Sequence, residues 1–173
     1  MKNDKLKIRF TKKEDVPFIH KLLHKSWVDT YVNEKLGITK ELIDNRFVYD
    51  PQDIKKRQKE LIEGPGYWVG EINSDIVGFV RAKKYEDGSG ELKAIYLDSE
   101  YIGRGFGAEL MKSALDWLKD CSKVTVKCAS YNERAINFYK KFGFGNLKDV
   151  EPYPLNEKVL LPQVVLEKVN QIN

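Results

Sequence analysis

The sequence predicts an α/β fold built on a mixed sheet. Three observations carry that prediction. Segments with strand-like alternation exchange along the chain with segments whose apolar residues recur at helical spacing. The strand-like segments are joined in some places by tight polar turns and in others by helices, and a sheet wired through both hairpins and crossovers contains antiparallel and parallel pairs. The chain has 173 residues, 42% hydrophobic and 32% charged. That suffices for one domain with its own core and is too apolar for a disordered chain. The predicted order is β-α-α-β-β-β-α-β-α-β-β, in a single domain over residues 1–173.

Leu6–Phe10 alternates and opens the sheet. Thr11 and Glu14 have the spacing of a capping box. Phe18, Ile19, Leu22, Leu23 and Trp27 follow at helical spacing, which predicts an amphipathic helix over roughly 14–27. Thr39 opens a second helical stretch, ITKELIDNRF. A third, DPQDIKKRQKELI, has Asp50 as its cap and Pro51 at its first helical position, and Gly64-Pro65-Gly66 ends it. The period then changes. Tyr67–Ile72 and Ile76–Tyr85 read as strands joined at Asn73-Ser74, a hairpin turn. Glu86–Gly90 is a second turn, and Glu91–Leu97 is the third strand of this meander. Phe106–Lys119 is a helix with Leu110, Ala114, Leu115, Trp117 and Leu118 on its apolar face. Val124–Ala129 is a strand and Asn132–Phe142 a helix. Phe144–Val150 and Val164–Val169 close the sheet, with Pro152, Pro154 and Pro162 between them.

Composition excludes several classes. Mean hydropathy is −0.51, and no apolar run approaches the ~20 residues of a membrane span. The N-terminus is charged from its second residue and has no apolar stretch, so no secretory signal is expected. Cys121 and Cys128 cannot build a disulfide framework, which fits reduced thiols in a cytoplasm. Lys and Arg number 30 against 26 Asp and Glu, a net charge of +4, too small to imply nucleic acid. Nine of those bases and five of those acids fall between Tyr101 and Val150, while the rest of the chain carries 21 of each. The whole excess thus lies around the glycine motif below. A positive field at a phosphate site would have this distribution, and so would chance.

Gly103-Arg-Gly-Phe-Gly-Ala108 follows a strand and opens a helix. That placement aims backbone N–H groups and the positive end of the helix dipole at whatever lies above the turn, and glycine lets backbone and ligand approach closely. A pyrophosphate is the natural guest; a tight turn that only starts a helix is the alternative. The P-loop needs Lys-Ser/Thr after its last glycine, which is missing here. The Rossmann fingerprint is matched by Gly103, Gly105 and Ala108, but Asp98–Ile102 intervene after the strand. The next strand ends Val-Lys-Cys-Ala-Ser130, without the acid that would bind a ribose.

LKAIYLDSEYIGRGFGAELMKSAL resembles the acetyl-CoA loop of the GNAT superfamily of N-acetyltransferases. In that family a strand, a turn and Gln/Arg-x-x-Gly-x-Gly/Ala open a helix. Gly105 and Gly107 match the two small positions, and Ile102 departs from the Gln/Arg, a charge that Arg104 could supply. Asn132-Glu-Arg-Ala-Ile-Asn-Phe-Tyr-Lys-Lys-Phe-Gly-Phe144 resembles the family's Asn-x-x-Ala-x-x-Phe-Tyr-x-x-x-Gly-Phe without departure. The resemblance covers about Trp68–Phe144, and Leu6–Trp27 fits the family's first strand and helix. It implies a GNAT-like, mostly antiparallel sheet split between its fourth and fifth strands, with acetyl-CoA in the gap. The pantetheine amides would pair with the backbone of Ile95 and Leu97, flanking Tyr96, as an added strand does. The pyrophosphate would sit on Gly103, Arg104, Gly105, Phe106, Gly107 and Ala108, and Asn132 would contact the pantetheine arm.

Amine acetylation requires that the amine lose a proton, that negative charge developing on the carbonyl oxygen be stabilised, and that the thiolate gain a proton. Tyr139 matches the family's general-acid tyrosine; core packing is the other reading. Glu91, six residues before Leu97, is the candidate base, directly or through water, and a solvated strand-end glutamate is the alternative. Tyr96 and Glu100 are weaker candidates. His20 and His24 share a helix face, but the zincin pattern needs Glu where Lys21 stands, so no metal is expected. Cys128 reads as a core thiol rather than an acetyl carrier, and Lys55–Lys59 as a solvated helix face. Trp27 and Tyr31, spaced i and i+4, could wall an amine pocket by cation–π contact, with Asp29 or Glu34 pairing a second ammonium. The Ser-Trp-x-x-Thr-Tyr run resembles family members that acetylate polyamines, and core packing explains Trp27 equally.

The sequence therefore predicts an acetyl-CoA-dependent N-acetyltransferase acting by direct attack in a ternary complex. A small amine such as a polyamine is the favoured acceptor, and a protein N-terminus or lysine is the alternative. A catalytically silent acyl-CoA-binding domain would have no use for Tyr139, and a nucleic-acid module would need a larger basic excess. No membrane partner is expected, and a homodimer is left open.

Overall fold

The computed structural model describes residues 5–48, 50–52, 55, 56, 58, 59 and 66–171. Its strands are β1 (Lys7–Phe10), β2 (Tyr67–Ile72), β3 (Asp75–Lys84), β4 (Gly90–Leu97), β5 (Lys123–Ala129), β6 (Gly145–Pro154) and β7 (Leu160–Val169). The helices are α1 (Val16–Tyr31), α2 (Lys40–Arg46), α3 (Phe106–Trp117) and α4 (Glu133–Lys141). The backbone is also helical at 51, 52, 55, 56, 58 and 59. Asp50 accepts the Gln52 N–H at 2.8 Å there, as a cap does. The remainder of the predicted third helix, with Gly64 and Pro65, lies outside the described residues.

The strands form one seven-stranded sheet in the order β1-β2-β3-β4-β5-β7-β6. Every neighbouring pair is antiparallel except β4 and β5. The predicted Asn73-Ser74 hairpin is present, with φ of +52° and +74° at its two residues. Two consecutive left-handed residues match the twist of the flanking strands. Alternation then sorts side chains to the two faces. Tyr67, Val69 and Phe79 pack on Ile19 and Leu22 of α1. Trp68, Val80, Leu92 and Val126 pack on Leu110, Met111 and Ala114 of α3 and Ile136 of α4. A third cluster joins Ile38, Ile43 of α2, Ala129, Leu155 and Leu161. It fastens the β6–β7 hairpin end to α2.

Three expectations are corrected. The first helix does not end at residue 27 but runs to Tyr31. Thr11 and Glu14 form no capping box. Instead Asp15 accepts the Lys12 N–H at 2.7 Å and two bonds from Arg9, at 2.6 and 2.9 Å. Arg9 also reaches Glu71 on β2, so one guanidinium ties β1, β2 and the start of α1 together. Pro152, Pro154 and Pro162 are not between strands but inside β6 and β7. β6 is an edge strand, where a missing N–H need not cost a ladder bond, and its register shifts between Val150 and Tyr153. No helix among the described residues is long and apolar enough to cross a membrane.

Candidate active site

The sheet comes apart in its middle. β4 and β5 pair only at Gly90↔Val124, Glu91↔Thr125 and Leu92↔Val126. Beyond that point β4 stays on β3 as far as Leu97↔Gly78, and β5 stays on β7 as far as Ala129↔Gln163. The register of β3 and β4 changes here too. Arg81 faces Ala94 while Ala82 faces Leu92, so Lys93 is an extra residue. A bulge of this kind bends its strand and increases its twist, and this one lies where β4 leaves β5. The edge of β4 from Lys93 to Leu97 has no β5 residue opposite it.

The glycine loop stands at the end of that bare edge. Gly103 and Gly105 have φ of +86° and +87°, and a Cβ built on either would meet no atom within 4 Å. The loop is therefore an open cradle in a conformation that side chains rarely adopt. Gly105 caps α3, accepting from Ala108 at 2.9 Å and Glu109 at 3.3 Å. The amides of α3 that precede Ala108 have no partner within the helix and carry its positive dipole end. Open backbone, free amides and an unpaired strand edge fit a long molecule that ends in a pyrophosphate.

Two cavities of about 680 Å³ each meet at the parted strands. The first, here the cofactor cleft, includes Ile95, Leu97, Gly103, Gly105 and Asn132. The second, here the acceptor cavity, lies towards α1, α2 and the β6–β7 hairpin. Tyr31, Lys93, Ala94, Tyr96, Lys127 and Cys128 border both and mark the passage.

The predicted residues fall unevenly around it. Tyr139 lines the cofactor cleft and is 6% exposed. Burial, then the neighbouring Cys128 and Tyr96, push its phenol well above the ordinary value. Asn132 lines the cleft as well, although its side chain accepts the Ala135 N–H at 3.1 Å and so caps α4. Phe106 packs in the core, which leaves only its backbone for a ligand. The Arg104 guanidinium lies 5.2 Å from the Tyr101 ring centre. Glu91 lines the acceptor cavity and is 9% exposed. Its carboxylate accepts from Lys93 Nζ at 3.1 and 3.2 Å and from the Tyr85 hydroxyl.

Trp27 and Tyr31 do stand together on the acceptor cavity, their ring centres 4.9 Å apart. Asp29 does not join them but lines the cofactor cleft. The helix extends through it, and two residues at ~100° each carry a side chain to the opposite face. Glu34 is exposed in a short 3-10 turn, and it and Glu100 border neither cavity. The cation–π place over Trp27 is taken from within, by Arg46 at 5.6 Å. His20 and His24 flank Phe47 at 5.5 and 5.4 Å, and His24 is 2.8 Å from Asp44. Burial pushes the Cys128 thiol up to about 11, and Cys121 is buried away from both cavities.

Sequence reasoning missed Arg46, Arg81, Lys93 and Lys127, all on the acceptor cavity. Arg81 left a trace, a charge inside the apolar run Ile76–Ala82. Lys93, between Leu92 and Ala94, and Lys127, between Val126 and Cys128, left the same trace, whereas Arg46 follows Asp44-Asn45 and carries no local signal.

Comparison with known proteins agrees with this geometry. A family model described as Acetyltransferase (GNAT) family matches residues 23–144. The mycothiol acetyltransferase of Acidimicrobium ferrooxidans is 31% identical over 103 residues, 56% of this chain and 33% of its own. The thialysine N-epsilon-acetyltransferase of Bos taurus is 36% identical over 64 residues, 35% of this chain and 36% of its own. The chain thus spans about a third of the length of these curated relatives. The crystal structure of the PaiA N-acetyltransferase of Thermoplasma acidophilum, in complex with coenzyme A, is similar in fold. Its TM-score is 0.72 at 20% identity, over 95% of this chain and 99% of that one.

Proposed function

The chain belongs to the acetyltransferase (GNAT) family, and from that premise we propose that it transfers acetyl from acetyl-CoA to a primary amine by direct attack in a ternary complex. The observation that carries this reading is the parting of β4 and β5 after Leu92 and Val126, beside the open Gly103–Ala108 cradle. It joins a cleft for one substrate to a cavity for the other. Ile95 and Leu97 would pair with the pantetheine amides through backbone, the Gly103–Ala108 amides would hold the pyrophosphate, and Asn132 would contact the arm between them.

Acetyl-CoA would supply the activated acyl group; the chain would supply position and protons. The amine, entering from the acceptor cavity, forms the new C–N bond as the C–S bond breaks. Its proton leaves by way of water towards Glu91, whose carboxylate the Lys93 ammonium and Tyr85 hydroxyl hold in place. The departing thiolate takes a proton from Tyr139, which lines the cofactor cleft. Direct attack is supported by Cys128. A thiol must ionise to act as an acyl carrier, and burial opposes that here.

The polyamine expectation finds less support at the acceptor side. Trp27 and Tyr31 border that cavity, but Asp29 and Glu34 do not. The test is release of free thiol from acetyl-CoA against polyamines, amino acids, aminoglycosides and N-terminal peptides. Turnover of any amine supports the reading. A protein that binds acetyl-CoA and turns over none is the silent acyl-CoA binder.

A further inference from the structure

The acceptor cavity has an unbalanced charge. Arg46, Arg81, Lys93 and Lys127 line it, against one carboxylate, Glu91. Glu91 is already matched, by Lys93 at 3.1 Å. The other three cations have no carboxylate within ion-pair distance among the described residues. Arg46 donates only to neutral oxygens, the Tyr153 hydroxyl and the Leu155 carbonyl at 3.3 Å. The Arg81 guanidinium lies 4.8 Å from the Tyr67 ring centre. Contrast Arg9, which is fully engaged by Asp15 and Glu71. Arg81, half-buried, and Arg46, exposed, line the cavity without a carboxylate partner among the described residues.

Resting on the acetyl-transfer reading above, we propose that the acceptor is a small primary amine that also carries a carboxylate. Lys93 and Lys127 stand on the two parted strands and border both cavities, whereas Arg46 and Arg81 border the acceptor cavity alone. A molecule whose amine points to the passage and whose carboxylate points back meets the guanidiniums with its anion. Their planar forks suit a carboxylate. The same field acts on the reacting end. Cations near an ammonium favour its neutral form, and the neutral amine is the nucleophile. A polyamine would meet like charge at both ends.

The experiment compares 6-aminohexanoate, hexylamine and 1,6-diaminohexane, which match in length and differ in the far group, with shorter amino carboxylates beside them. We expect kcat/KM for the best amino carboxylate to exceed that of its matched diamine at least tenfold. Added salt should narrow the gap, because the anchoring cations are partly exposed. Arg81→Gln and Arg46→Gln should each lower the amino-carboxylate to monoamine ratio several-fold. Arg46 is exposed on α2, so its variant tests the idea even where Arg81→Gln fails to fold. Diamines or acidic peptides used as well as the amino carboxylates, or ratios unmoved in both variants, overturn this proposal while leaving acetyl transfer standing. If no amine of any charge releases thiol from acetyl-CoA-loaded protein, acetyl transfer itself fails, and this proposal with it.

Discussion

Trp27 donates its indole N–H to the hydroxyl oxygen of Tyr96 at 3.1 Å. One residue belongs to α1 and the other to β4, so the bond clamps the wall of the acceptor cavity to the strand that borders the cofactor cleft. Burial pushes the Tyr96 phenol up, against the opposing pull of its hydrogen bonds with Tyr31 and Trp27. A phenol that keeps its proton is a poor base, which counts against Tyr96 as the group that deprotonates the amine. Trp27→Phe keeps a ring and deletes the donor. Stability should fall by about 1–3 kcal/mol from the lost bond and the smaller side chain. Urea unfolding measures it, and an unchanged midpoint would show that the clamp contributes nothing.

Gly105 separates charge from strain. Both Gly105→Asn and Gly105→Asp place a side chain at φ +87°, and both side chains have open space before them. They differ in one negative charge. If the pyrophosphate lies over this loop, acetyl-CoA should bind the Asp variant at least tenfold more weakly than the Asn variant, about 1.4 kcal/mol. Calorimetric titration decides, and equal affinities would move the pyrophosphate elsewhere.

Tyr139→Phe deletes a buried hydroxyl and leaves the ring among Phe138 and Phe144. We expect kcat to fall about 10²-fold, the scale of general acid–base catalysis, with the acetyl-CoA Kd unchanged. A kcat within threefold of wild type, roughly 0.7 kcal/mol, would make Tyr139 a packing residue and water the acid.

Arg9 and Asp15 give a pH dependence with a definite sign. Burial raises the Asp15 carboxyl, but the Arg9 bonds and the Lys12 N–H outweigh it and hold the group below its ordinary value. Its contribution is therefore present above the unfolded value of about 4 and is lost as pH falls through the lower folded value. Arg9→Met leaves a buried carboxylate without its cation, which costs about 3 kcal/mol at pH 7. In that variant burial still raises the carboxyl and only the Lys12 contacts lower it, so protonation relieves part of the penalty. The stability difference between the two proteins should narrow between pH 7 and pH 4. A constant difference would show that Arg9 acts by packing.

Two local signals in the chain are legible. Asn73-Ser74 specified its hairpin because a two-residue turn is decided by its own backbone preferences. Thr39 specified a helix start in the same way, its hydroxyl accepting the Leu42 N–H at 3.1 Å. What stayed hidden depended on distant partners. The bulge at Lys93 arises from register against β3, and nothing in Glu91–Leu97 itself differs from a regular strand; the split was inferred by resemblance alone. Asp29 was misplaced for a subtler reason. Ending the helix at Trp27 freed the next residues to turn in any direction, whereas four more helical residues fix Asp29 on the opposite face. Arg46 reaches the cavity only because Leu155 and Leu161 carry the β6–β7 hairpin end against α2, a contact between segments about 110 residues apart.

The parting of β4 and β5 gives this sheet a pair of interior margins besides its two outer ones. Amides along such a margin answer to water rather than to a neighbouring strand, and they exchange their hydrogens accordingly. A ligand lying along Ile95 and Leu97 would complete the sheet from within. Part of its binding energy then appears as stiffness in the two halves on either side. The protein before binding is a sheet with a seam, which such a ligand would close.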